Sequence, residues 1–276
     1  EICACLVGSE MCIRDSYRIP VVNIIGSEGN GIYGAAFNIY NIMLVLSSYG
    51  LPMAVSKLVS ARFTKKRYKS AAKVLRCSLM VAVCTGGIAA LLVFFGASFI
   101  ENVIYGGGLP GLAVPLRILA PTIFLVAILG VIRGFFQGQS TMIPTAVSQI
   151  LEQIVNAIVS IAAGYGMMKA FASLPDVAAY GAAGSTLGTA MGALTAVLFM
   201  GFLYAVYTPT FNRLKRKDRH TENQSTGQIC KIIIYTMIPI ILGQTFYQIS
   251  ALIDDVMFSN IMVGRDITKS LSLIHI

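Results

Sequence analysis

The chain has 276 residues, of which 56% are hydrophobic and 12% charged, and its mean hydropathy is +0.74. A soluble globular domain carries charge on about a quarter of its residues, so that class is excluded and a polytopic membrane protein is left. Lys and Arg outnumber Asp and Glu by 21 to 12, but the excess sits in a few short loops, which is a topology signal and not a nucleic-acid footprint.

The two ends read differently from the rest. LVGSEMCIRDS at 6–16 is what a common transposase-type sequencing adaptor gives when translated in one frame, and LSLIHI at 271–276 matches its reverse complement. Residues 1–16 and 271–276 are therefore expected to be library scars and are set apart from fold reasoning. Outside them, Cys77, Cys84 and Cys230 form no CxxC pair, so neither a disulfide framework nor a zinc site is expected.

Residues 17–25, YRIPVVNII, read as the tail of a membrane span cut at its start. Arg18 is a candidate for holding an anionic headgroup, because a guanidinium binds phosphate bidentately. The alternative is an arginine snorkelling from a helix end. A glycine-rich stretch follows and predicts an external loop. Its Gly29, Gly31 and Gly34 spell GxGxxG, but no strand precedes them, so a dinucleotide site is rejected.

The next span is expected at 31–55. Asn38, Asn41, Ser47 and Ser48 interrupt its apolar surface and suggest the lining of a watery cavity. Tyr33, Phe37 and Tyr40 beside them suit an interface or packing equally well. Loop 57–76 then holds Lys57, Arg62, Lys65, Lys66, Arg67, Lys69, Lys73 and Arg76 with no acid. Spans at 77–104 and 112–136 come next, separated by a loop whose one charge is Glu101. The turn at 133–141 carries Arg133.

The span at 142–171 bears Gln149, Glu152, Gln153, Asn156 and Ser160 at spacings 0, 3, 4, 7 and 11, which places them on one helical face. An ionisable residue at this depth faces protein or water, not lipid. The face reads as a substrate or ion pathway, with interhelical hydrogen bonding as the alternative. In the span at 178–207, Gly184, Gly188 and Gly192 form a small-residue ridge suited to close helix packing.

Residues 208–230 are the longest polar stretch and read as a linker between two helical halves. The last span, 231–262, carries Gln244, Gln248 and Asp255 at spacings 0, 4 and 11, with Asp254 alongside. Those acids are candidates for binding a coupling cation or proton; a helix that ends earlier would instead leave them near the outer surface. Basic and charge-poor loops alternate, which places 57–76, 133–141 and 208–230 in the cytoplasm. No catalytic triad, metal cluster or P-loop is present in the sequence, so neither a cofactor nor an enzyme is expected.

Three long segments, in order, resemble one family. YRIPVVNIIGSEGNGIYGAAFNIYNIMLVLSSYGLPMAVSKLVSAR, GFFQGQSTMIPTAVSQILEQIVNAIVS at 134–160, and IPIILGQTFYQISALIDDVMF at 238–258 are similar to bacterial oligosaccharide flippases of the stage V sporulation protein B type. That family sits in the group that includes MurJ-type lipid II flippases and multidrug and toxin extrusion transporters. The resemblance implies an all-α, polytopic transmembrane helix bundle. Here it would consist of one six-helix lobe with a truncated first helix (17–207), a cytoplasmic inter-lobe linker (208–230) and the first helix of a second lobe (231–270). It implies a bacterial cytoplasmic-membrane protein that exports lipid-linked oligosaccharide or peptidoglycan precursor by alternating access. Its partners would be the lipid-linked sugar, membrane lipids and a coupling cation or proton, with no nucleic acid. Arg18 matches, by position, a first-helix arginine that in MurJ-type members is thought to engage the pyrophosphate. A cation-coupled drug exporter centred on Asp254, Asp255 and Glu152 is the first alternative; a membrane-embedded enzyme or assembly scaffold is the second.

Overall fold

A computed structural model describes residues 2–105, 109–172, 176–218 and 225–264. Side chains are described from Ile19 to Phe246 within those ranges, Ile104 excepted, and at Ser250. Every regular element among the described residues is helical: α1 (Ile2–Ser47), α2 (Gly50–Thr64), α3 (Tyr68–Phe99) with a π-helical turn at Ile100–Ile104, α4 (Ala113–Gln137), α5 (Ile143–Ala170), α6 (Val177–Lys217) and α7 (Thr226–Gly264). Among the described residues, six helical stretches are long and apolar enough to cross a bilayer. The chain is thus an all-α polytopic bundle. Large apolar side chains such as Phe95, Leu198 and Phe202 point outward, as a lipid surroundings requires.

The expected glycine-rich loop is almost absent. Helical backbone continues through it, broken only at Gly26, whose φ of 71° and ψ of −179° suit a residue without Cβ. A second break falls at Ser48–Tyr49, and Pro52 explains it. Proline offers no N–H to the carbonyl four residues back, and its ring crowds that carbonyl. Leu51 N–H therefore turns to Ser48 O at 3.1 Å, while Tyr49 N–H reaches back to Leu44 O. The Ser47 carbonyl is answered from the next helix by the Thr85 hydroxyl at 3.0 Å, which also bonds Val81 O.

Two apolar cores stack along the bundle. One, at the Gly26 end, gathers Ile32, Tyr40, Val93, Leu116, Leu119 and Ile123. The other, at the basic end, gathers Leu51, Val55, Phe135, Met200, Phe211 and Ile233. Glu101 ties the π-helical turn to α4 by accepting the N–H groups of Gly111 (3.0 Å) and Ala113 (2.8 Å), donors that a helix start leaves without partners.

The putty of the basic end is aromatic. Phe63 stacks on Phe211 at 6.1 Å, and Phe135 meets Phe211 edge-on at 5.4 Å. The stretch expected to be linker from residue 208 is helical as far as Lys217, because Phe211 is buried in this cluster and holds it in register. Its basic residues also lie at a helix C-terminus, where the backbone dipole favours them.

Candidate functional site

The polar face of α5 divides along its length. Its deeper part closes onto α6. Ser160 donates to Ser185 O at 2.8 Å and lies 2.9 Å from Asn156 Oδ1, and both residues are buried. The glycine ridge of α6 lies directly against them. A Cβ at Gly184 would sit 2.5 Å from Ala163 O, one at Gly188 would be 2.6 Å from Ser160 N, and one at Gly192 would be 2.7 Å from Glu152 O. Without side chains in the way, the two backbones reach contact distance. Asn156, read from the sequence as cavity lining, therefore stands in a helix contact.

The shallower part stays half-open. Gln149, Glu152 and Gln153 are each half-buried. Glu152 Oε2 accepts from Arg133 Nη2 at 2.7 Å, and Arg133 Nε donates to Ser148 Oγ at 2.9 Å. The Ser148 hydroxyl passes its own proton to Thr145 O at 2.7 Å. Gln153 Oε1 is buried with no hydrogen-bond partner among the described residues. From α1, the buried Tyr40 lies within electrostatic reach of Glu152.

Arg133 is the residue that the sequence pattern misplaced. It stands on α4, a turn inside the helix end, and not in the turn that follows. That turn consequently contains no basic residue, and the charge asymmetry rests on 57–76 and 208–230. The signal for its role was present. In an antiparallel helix pair joined by a short turn, residues at similar distances from the turn face each other, which sets Arg133 opposite Ser148 and one turn from Glu152. A second small-residue ridge was also legible. Gly130, Gly134 and Gly138 recur every fourth residue, and a Cβ at Gly134 would lie 2.6 Å from Pro52 O.

Of the other sequence candidates, Asn38 is half-buried and Asn41 exposed on α1. Gln244 is exposed on α7. The side chains of Arg18, Gln248, Asp254 and Asp255 lie outside the described residues. Two recesses open elsewhere. One of about 270 Å³ at the Gly26 end is lined by Glu28, Ile32 and Asp176; one of about 510 Å³ between α2 and α7 is lined by Met53, Lys57, Tyr235 and Pro239. Among the described residues no group of His, Cys, Asp and Glu is arranged to hold a metal ion.

Comparison with known proteins adds the following. The family model described as "Polysaccharide biosynthesis protein" matches residues 15–266. Lipid II flippase MurJ of Bacillus subtilis (strain 168) is 34% identical over 161 residues, 56% of this chain and 30% of that protein. Stage V sporulation protein B of the same organism is 31% identical over 184 residues, 66% of this chain and 34% of that protein. A crystal structure of MATE in complex with MaD3S shares the fold with a TM-score of 0.69 at 16% identity, over 92% of this chain and 54% of that one. The chain spans about a third of the length of these two curated relatives.

Proposed function

The chain belongs to the polysaccharide biosynthesis protein family, and from that premise we propose that it forms the N-terminal lobe of a membrane flippase. The cargo is a lipid-linked oligosaccharide or peptidoglycan precursor, carried from the cytoplasmic to the outer leaflet by alternating access. Residues 17–207 form the lobe, 208–230 cross to the second lobe on the cytoplasmic side, and 231–270 begin that lobe. The basic segments 57–76, helical but for 65–67, and 208–230, helical as far as Lys217, face the cytoplasm of a bacterial inner membrane, because their Lys and Arg resist translocation. The turn at 138–142 lies on the same side, since one span separates it from the charge-poor turn at Glu101.

The observation that carries this reading is the half-open polar face of α5 inside an otherwise apolar bundle. A polyprenyl tail needs only lipid, whereas a sugar headgroup crossing a bilayer needs hydrogen-bonding groups along its path. Gln149, Glu152 and Gln153 offer them from α5, and Asn38 and Asn41 from α1. Arg18 supplies a cation for the headgroup phosphate, and Asp254 and Asp255 take the coupling cation or proton. Transport follows as the two lobes rock about the site. The chain performs no bond-making chemistry in this scheme.

The test is growth of a bacterium depleted of its own lipid II flippase and supplied with the full-length gene. Rescue, with labelled lipid II reaching the outer leaflet, supports the reading. Confirmed membrane expression without rescue transfers the cargo to another polyprenyl sugar or to a drug-like cation.

A further inference from the structure

Helices α4 and α5 are consecutive, yet α4 packs chiefly on α3 and α6, α5 packs chiefly on α6, and the two touch each other little. Arg133 bridges them where they otherwise interlock little, meeting Glu152 at 2.7 Å and Ser148 at 2.9 Å. A bridge needed only to fasten two helices is poorly served by charges, since removing two ions from water offsets most of their attraction. The geometry also leaves the bridge incomplete. Arg133 meets the carboxylate through Nη2 alone, and among the described residues Nη1 and Glu152 Oε1 have no hydrogen-bond partner. The two side chains keep 15% and 19% of their surface accessible, so a ligand can reach both. A guanidinium fork held at one point by a carboxylate is a bidentate anion site with a weak occupant.

We propose that Arg133 is a phosphoanion-binding cation of this lobe and that Glu152 is its built-in competitor, displaced when the phosphate of a lipid-linked substrate arrives. This rests on the flippase reading above. Phosphate oxygens take two parallel N–H groups where Glu152 takes one, and the released carboxylate turns toward Tyr40. Loading therefore removes the ion pair from the tether between α4 and α5 and leaves the Arg133–Ser148 bond, so that the arrival of cargo changes how the helices are held. An empty lobe keeps the tether, and its cation is not left bare inside the membrane.

The experiment uses the full-length protein in phosphatidylcholine nanodiscs, titrated with farnesyl diphosphate and, separately, with inorganic pyrophosphate. Glu152→Gln removes the competitor and is expected to tighten farnesyl diphosphate binding about fivefold or more. Arg133→Gln is expected to weaken it about tenfold or more, and Arg133→Lys to recover only part, because an ammonium lacks the fork. The swap Arg133→Glu with Glu152→Arg keeps a pair and the wild-type melting temperature, yet does not restore binding. Comparable binding of pyrophosphate assigns the site to a free phosphoanion, and binding of farnesyl diphosphate alone assigns it to a lipid; both support the site. Unchanged affinity in Glu152→Gln and Arg133→Gln, in a protein that rescues the flippase-depleted bacterium, overturns this inference and leaves the flippase reading standing. A wild-type protein that neither binds nor rescues overturns both.

Discussion

Gly188→Ala is expected to unseat α6 from α5. The new Cβ would overlap Ser160 Oγ and lie 2.6 Å from Ser160 N, against ordinary contacts of 3.4 Å or more, so the backbones must part by about 0.8 Å. The Ser160 hydroxyl can rotate aside, but Ser160 N and Asn156 O belong to backbone and cannot. Overpacking of this kind costs about 1–3 kcal/mol. The Ser160 hydroxyl also loses its place on Ser185 O, a buried bond contributing about 1 kcal/mol. The sum is a destabilisation of about 2–4 kcal/mol. Gly201 on the same helix provides the control, because a Cβ there meets nothing within 4 Å. Alanine at that position should gain about 1 kcal/mol from helix propensity. Thermal unfolding of the two variants of the full-length protein in detergent, followed by loss of the monodisperse peak, reads the difference. Equal melting temperatures for Gly188→Ala and Gly201→Ala would refute the view that the ridge is a contact surface.

Glu101→Ala should cost about 1–2 kcal/mol, since two donors at the α4 start lose a carboxylate; the same unfolding assay reads it, and Glu101→Gln should fall between. Thr85→Val keeps the shape but leaves the Ser47 carbonyl unanswered, for a loss of about 1–3 kcal/mol; adding Pro52→Ala should recover part of it by letting the helix close. Glu152→Ala and Arg18→Ala should each reduce transport in the rescue assay while membrane expression stays normal. Full complementation by both would remove these residues from the site. Ser160→Ala, by contrast, should lower stability by about 1 kcal/mol and leave transport near wild type.

What the sequence could and could not convey follows from the range of each interaction. Hydrophobic length is a local property, and the spans at 77–104, 112–136, 142–171 and 178–207 each match one helix, counting the π-helical turn after α3, with no more than one residue protruding at either end. Pro52 likewise marks its own helix break. The partner that repairs the break, Thr85, lies 38 residues beyond Ser47, and no spacing rule reaches it. The α5 stripe and the α6 glycine ridge were each visible alone. Only the register between them, Gly188 on Ser160, separates the residues that pack from those that remain open. Arg133 was read as a loop charge because a cation near a helix end looks like an anchor, and Glu152, its partner, sits across the turn. The basic run before Asp218 looked like loop for the same reason of polarity, whereas the buried Phe211 keeps it helical.

The last consequence concerns where the molecule would come apart. Asp218, buried, accepts the Lys69 N–H at 2.9 Å at the start of α3, and Cys77 Sγ on that helix lies 3.8 Å from Thr226 O. Lys69 and Cys77 are separated by about 12 Å of helical rise. The chain thus leaves α3 and returns to α3, and Ile229, Ile233 and Met237 of α7 are buried in the same core as Leu51 and Val55. By order α7 follows the linker, but by packing it is kin to the helices before it. A gene split within 219–224 should still yield two pieces that find each other. The fulcrum of a rocking transporter would accordingly lie beyond Met237, with the basic connector a passenger and not the axle.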